Sequence, residues 1–456
     1  MFCGCATEWG AAPNHQTCPV CLGLPGTLPV INRIAVEYAL TVALALDCRI
    51  ARPFIFERKN YYYPDLPKNY QISQKRTPLG YDGHFDLLLD GRTVRVGIPD
   101  VHLEEDAGRL LHPESDARGS LVDFNRAGMP LLEIVSAPDL TSLDEVAAYM
   151  ETLQQLLRYL GVSEARMERG QLRFEANISL REPGAPLGKR VEIKNLNSHR
   201  AVLRSLEYEI ERQAKVLRAG KPVAQETRLW NEEREVSGAM RSKEEAHDYR
   251  YFPEPDLAPI AVDDALLTQL RARIPELPTA RRKRFIEAHG LPAYDAGILT
   301  ADRALADYFE AALAAHSEPK AVSNWVINDV SRYLNDRGET AAAASVTPAR
   351  LGELLGLVAR GEVTTTVAKR VLQQMFETGR GAADIVQAEG LGTVQDASAL
   401  QDALEKVLAA NADAVEKVRA GNEAPLKFLV GQVMRETRGT ADVQAVLCVI
   451  RERLGV

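Results

Sequence analysis

Cys3-x-Cys5, twelve intervening residues and Cys18-x-x-Cys21 form the sharpest chemical pattern in the chain. Two close pairs of thiols on tight turns can present four thiolates to one tetrahedral ion, and zinc is the usual occupant. Gly4 and Pro19 suit the turns such a site needs. A four-sulfur shell leaves no open position, so the expected role of Cys3, Cys5, Cys18 and Cys21 is structural. The competing reading is free thiols in a turn-rich segment.

Carboxylates give the second pattern. His102-Leu103-Glu104-Glu105-Asp106 follows an apolar β-like run, and Glu133 interrupts the run Pro130–Val135. A charge in such a run is costly unless it faces a cavity, a cation or a partner. Glu175 and Asn177, in the segment opened by Arg173, alternate onto one face of a strand, and Glu192, Lys194 and Asn195 make a similar polar set. Oxygen ligands from several strands suit Mg2+, which keeps waters and bridges to phosphates. Singly, each reads as a solvated strand residue; together they argue for a charged cavity.

Cations and aromatic rings are interleaved in Arg58–Lys68, around Arg241 and Lys243, and in Asp248–Pro253. Such runs can grip phosphates and stack on bases, or simply edge a core. Arg281-Arg282-Lys283-Arg284 reads as a solvated charge run or an RNA contact. Gly184–Lys189 has the wrong spacing for a phosphate loop, and Arg190 stands where Ser or Thr belongs. No G-x-G-x-x-G follows a strand.

These groups must be held by elements the pattern also foretells. Apolar positions predict a helix over 33–46, and Asp90-Gly91 between two apolar runs predicts a hairpin joining Phe85–Leu89 to Thr93–Ile98. Ser142 and Glu145 fit a capping box opening an amphipathic helix that Gly161 closes. Strands are expected at 172–180 and 190–194, then a long helix over 200–219. Past Ile274–Pro278 the chain turns almost purely helical. The fold class is therefore α+β: a body built round an antiparallel or mixed sheet, then an all-α domain and a small all-α tail, with boundaries near 272 and 395.

The 456 residues are 46% hydrophobic and 26% charged, which excludes disorder as the main state. A net charge of −8 excludes blanket binding of nucleic acid, so any such contact must use local basic patches; the expected nucleic-acid partner is RNA, with no DNA. No apolar run approaches the length of a membrane span. Without an export signal at the N-terminus, the expected location is the cytoplasm.

Long motifs in one order make the sequence resemble the B subunit of the bacterial aspartyl/glutamyl-tRNA amidotransferase family. They include Tyr70–Gln74, His102–Gly108, Leu121–Arg126, Glu133–Asp139, Glu192–Ser198, Gln225–Arg228, Asp248–Asp256 and Phe428–Met434. The resemblance implies a cradle domain over 1–272 carrying the zinc module, a helical domain over 273–395 and a tRNA-binding tail over 396–456. It implies ATP- and Mg2+-dependent phosphorylation of the Glu or Asp side chain on misacylated tRNA(Gln) or tRNA(Asn). Amidation would follow, with ammonia channelled from a partner amidase, the family's A subunit, in a complex held together by a small C subunit. Nothing here resembles a glutamine-hydrolysing nucleophile, so the amidase must be another chain.

By family position, Glu105 and Glu133 are the expected Mg2+ ligands, with Glu104 competing. Glu175, Asn177, Glu192 and Lys194 are expected to line the ATP and acyl-acceptor cavity. Arg173, Glu192, Asn195, Arg241 and Lys243 are the candidates for the nucleotide, and Lys59 and Lys68 for the channel mouth. Glu175 stands where the family usually has Asp. The family also begins with a Glu-Val-His-type strand that would precede Met1, and the expectation is a misassigned start with residues missing upstream. If that strand is truly absent, the alternative is a non-catalytic scaffold that binds tRNA.

Overall fold

The computed structural model describes residues 1–111, 119–240, 249–393, 397–420, 422–437, 439–441 and 443–455. Arg241 and Lys243 lie outside the described residues. The chain divides into two compact units, Met1–Ala280 and Arg281–Val456. Mixed sheets in the first and helices throughout the second make it α+β.

Three larger sheets organise the first unit, beside a two-stranded pair of Arg109–Leu111 with Leu121–Asp123. The largest is antiparallel, in the order Arg49–Ile50, Gly80–Leu89, Arg92–Glu105, Pro130–Val135. Its central hairpin turns at Asp90 and Gly91, with φ of 49° and 77°, the doubly left-handed turn that matches the twist of two paired strands. The second strand does not stop at Ile98 as the sequence suggests. It continues through Pro99 to Glu105, because the ladder to Pro130–Val135 begins at Asp100, just past the residue that lacks an N–H. A second sheet orders Arg250–Pro253, Glu57–Asn60 and Tyr70–Ser73, all antiparallel. A third runs Val236–Ala239, Glu226–Asn231, Val191–Lys194, Ala176–Ile178. There Val191–Lys194 and Glu226–Asn231 are parallel, and the helix His199–Arg218 lies between them in the chain.

Helices close the apolar faces of these sheets. Arg33–Ala45 buries Val36, Ala39, Leu40 and Ala43 beside Ile72, Leu79, Ile98 and Val101 in one continuous core. The helix Leu143–Tyr159 adds Met150, Leu153, Leu156 and Leu157. Ser142 accepts from the Glu145 amide at 3.2 Å, but Glu145 reaches back to the Thr141 amide at 2.7 Å, one residue earlier than a capping box would have it. Arg92 pairs with the other oxygen of the same carboxylate at 3.0 Å.

The second unit holds two apolar clusters, one from Phe285 to Leu391 and one from Leu404 to Leu454. Its basic run is not simply solvated. Arg281 is 5% exposed and pairs with Asp307 and Glu310, and Arg284 meets Glu310 at 2.6 Å. Among the described residues, no helix is long and apolar enough to cross a membrane.

Candidate active site and metal centre

Strand alternation decides which carboxylates meet. Along Arg92–Glu105, the residues Asp100, His102 and Glu104 share one face, and Glu133 joins them because it is paired directly across from His102. Glu105 points to the other face. It is 2% exposed, and its carboxylate accepts from Lys68 at 2.5 and 2.7 Å and from the Ile72 amide at 2.8 Å. Glu105 and Glu133, the pair expected to share a metal, are thus on opposite sides of the sheet, whereas Glu104 and Glu133 share a side. Glu104 is steadied by a 3.0 Å bond from the Ser73 hydroxyl.

Charge on this face is delicately balanced. Burial, and then the charge of Glu133, push the Glu104 carboxyl above its ordinary range. Glu133 moves the other way, held down chiefly by His102. Burial opposes a charge on His102. Yet Asp100 at 2.9 Å and Glu133 at 3.9 Å hold it up at about 9, so it is cationic at neutral pH. The Lys59 charge acts on both Glu104 and Glu133, and its ammonium lies 4.8 Å from the Tyr249 ring centroid and 5.7 Å from that of Tyr61. Glu104 and Glu133, oxygen donors on one face with Glu133 partly open to solvent, are residues that could hold a hard divalent cation such as Mg2+.

The third sheet brings a second polar group together. Lys194 Nζ lies 3.4 Å from Glu192 and 3.8 Å from Glu175, and Thr227 donates to Glu192 at 2.8 Å. Glu175 and Asn177 are exposed, alternating with Phe174, Ala176 and Ile178 on the core. Regular strand is confined to Ala176–Ile178, so Glu175 precedes it. The field of Tyr249 reaches Lys194, which sets this group near Lys59 and its acidic neighbours. Asn195 instead turns a corner, with φ of 66° and its amide donating to the Trp230 carbonyl at 3.0 Å. Arg173 pairs with Asp106 at 3.2 Å. Asp106 also holds Arg126 at 2.7 Å. Sequence reasoning missed Asp100, His102 and Ser73 as site residues; the i, i+2, i+4 spacing of Asp100, His102 and Glu104 was the available signal.

At the N-terminus, the sulfurs of Cys3, Cys5, Cys18 and Cys21 all lie within 4.8 Å of one another. Cys21 Sγ is 3.3, 3.4 and 3.6 Å from those of Cys3, Cys18 and Cys5. Those separations far exceed a disulfide bond and approach the roughly 3.8 Å edge of a tetrahedron whose sulfurs are about 2.3 Å from one ion. Burial pushes the Cys5 thiol up to about 11 and drives Cys21 upward too. Burial also opposes the Cys18 thiolate, but hydrogen bonds from Cys21 and from the Val20 backbone draw it down to about 7. The donor set fits zinc. Only Met1, Phe2 and Cys21 of the first 32 residues are buried, so this segment has almost no apolar core of its own.

Residues 1–268 match the model of the GatB/GatE catalytic domain, and residues 307–454 match that of the GatB domain. An aspartyl/glutamyl-tRNA(Asn/Gln) amidotransferase B subunit of Carboxydothermus hydrogenoformans is 50% identical, over 100% of this chain and 95% of that protein. The same-named protein of Moorella thermoacetica is 52% identical over 99% of this chain and 96% of its own length. That of Geotalea daltonii is 49% identical, over 98% and 94%. A catalytic-domain match over the acidic face and the four-cysteine module, with identity near one half along the whole chain, places it plainly: the chain belongs to the family of aspartyl/glutamyl-tRNA(Asn/Gln) amidotransferase B subunits.

Proposed function

We propose that this chain uses ATP to phosphorylate the side-chain carboxylate of Glu or Asp carried on tRNA(Gln) or tRNA(Asn), and then directs ammonia onto the acyl phosphate. The observation that carries the reading is the acidic face of Asp100, His102, Glu104 and Glu133 opposite Lys59, inside a segment that matches a catalytic domain. The catalytic match favours this reading over the scaffold alternative.

A carboxylate resists amidation because its leaving group would be an oxide, and phosphorylation supplies a stable one. Glu104 and Glu133 would hold Mg2+, which neutralises charge on a transferring phosphoryl group. In this assignment Glu105 is not a ligand: its charge is already matched by Lys68. His102, held cationic, fixes Glu133 as a carboxylate. Lys59, whose charge acts on Glu104 and Glu133, would supply one positive charge, and Lys194, tied to Glu175 and Glu192, a second one for a polyphosphate or the acyl group. Asn177, exposed on the strand next to Glu192, completes that wall. Lys68 and Glu105 form a buried polar pair suited to the mouth of an ammonia path, and Lys59 sits on the strand paired with Tyr70–Ser73, which begins two residues after Lys68. Zinc in the cysteine site would be structural.

Ammonia comes from a partner amidase. The misacylated tRNA and a small third protein complete the assembly, and the site of action is the cytoplasm. The test is ADP release by the complete three-protein complex. ADP should appear only with Glu-tRNA(Gln) or Asp-tRNA(Asn). Tight tRNA binding with no tRNA-dependent ADP would return the scaffold reading.

A further inference from the structure

The loop between the two cysteine pairs does more than close a metal site. Asn14, at φ of 62°, is stitched by three bonds to the end of the strand Leu121–Asp123 and the residue that follows it. Its amide donates to Asp123 at 3.0 Å, its side chain donates to the Val122 carbonyl at 3.0 Å, and it accepts from the Phe124 amide at 2.8 Å. Next to it, the Gln16 amide donates to Asn125 at 2.9 Å, and Asn125 donates back to the Ala12 carbonyl at 2.8 Å. Five hydrogen bonds from an exposed loop to one short turn are more than surface packing requires.

That turn leads straight into the acidic site. The residue after Asn125 is Arg126, which grips Asp106, the neighbour of Glu105. The cysteine module has a second hold on the same strand end. A Cβ at Gly23, two residues past Cys21, would lie 2.4 Å from Lys68 Cγ, and the Phe2 ring centroid is 5.4 Å from the Lys68 ammonium that binds Glu105. Asp106 and Glu105 are thereby held from two directions by one segment. That segment itself has almost no apolar core, so four metal–sulfur bonds are what can make it rigid.

We propose that the inter-cysteine loop is a positioning clamp: with the metal bound, Asn14 and Gln16 fix the turn 122–126, and through Arg126 and Asp106 they fix the end of the strand that carries Glu104. Asn14 is a positioning residue rather than a catalytic one. The link to catalysis rests on the function proposed above; the clamp itself does not.

Asn14→Gly separates the parts, because glycine keeps the left-handed backbone and loses only the two side-chain bonds. The assembled three-protein complex is compared with and without the substitution, by zinc content, amide exchange and steady-state kinetics. The variant should retain one zinc per chain. Exchange should speed up at least about tenfold within 122–130 while the helix Leu143–Tyr159 stays unchanged, each tenfold being about 1.4 kcal/mol of lost local stability. In the same variant kcat for tRNA-dependent ADP formation should fall several-fold with KM for ATP unchanged. Stripping zinc from the wild type with a chelator should reproduce the exchange change at 122–130. Unchanged exchange there, or faster exchange with unchanged kcat, would overturn the clamp. Wild-type complex lacking tRNA-dependent ADP would count against the proposed function instead, and the exchange data would then decide the clamp alone.

Discussion

Glu104 and Glu105 are adjacent in the chain and on opposite faces of their strand, and only Glu104 shares a face with Glu133. Glu104 shares its face with Glu133, so either Glu104→Gln or Glu133→Gln should lower kcat for tRNA-dependent ADP formation by about 100-fold or more, without loss of thermal stability. An equal effect from Glu105→Gln alone, with stability intact, would contradict the assignment. Lys68→Met should instead act on folding. It leaves Glu105 buried and unpaired, at a cost of about 3–5 kcal/mol, and adding Glu105→Gln should restore much of that, since a Gln can still accept from the Ile72 amide. Simple additivity of the two changes in a urea titration would argue against a coupled pair. Residue types made the acidic site legible: a Glu in the middle of Pro130–Val135 had to face something polar. Which of two neighbouring glutamates joins it was not legible, because a one-residue change of register exchanges the faces.

Local signals named most elements correctly where turn chemistry was strong. Asp90-Gly91 gave the hairpin, Gly161 closes its helix as expected at φ of 68°, and Gly220, at the same φ, follows the end of His199–Arg218. The strand that carries the site runs past its expected end because Pro99 only looks like a terminus; the ladder on one side simply starts after it. The expected strand over 172–180 shrinks to Ala176–Ile178, as an edge strand with one neighbour. The opening of Leu143–Tyr159 yields a pH prediction. Bonds from the Thr141 amide, its hydroxyl and Arg92 hold the Glu145 carboxyl below its ordinary value. A lowered folded-state pKa means the stabilisation is present in full above the ordinary carboxylate range and is lost as pH falls through the lowered value. Urea stability should therefore decline on acidification below about pH 5, and Glu145→Gln should flatten part of that decline. A variant with the wild-type slope would contradict it. Ser142→Ala should cost about 1 kcal/mol at any pH in this range.

At the scale of the whole molecule, the chain separates the acidic chemistry from a helical half with its own two apolar clusters. Calorimetry should accordingly show more than one transition, and a single two-state peak over the full chain would contradict independent cores. The change from strand-like to helical periodicity puts the expected boundary near 272, short of the division between the two compact units. Its limits lie at 280/281 by compactness, because Arg281 is tied by ion pairs to Asp307 and Glu310 of the second unit. A net charge of −8 is no obstacle to RNA, since local groups suffice to make such contacts.

Phosphorylation of the substrate requires that its own carboxylate oxygen attack the γ-phosphorus of ATP. Glu-tRNA(Gln) labelled with 18O in the side-chain carboxylate, given to the three-protein complex with ATP and glutamine, tests it directly. An acyl phosphate requires one labelled oxygen to leave in inorganic phosphate when ammonia displaces it, one for each Gln-tRNA(Gln) formed. Amidation that yields phosphate free of label would contradict the account.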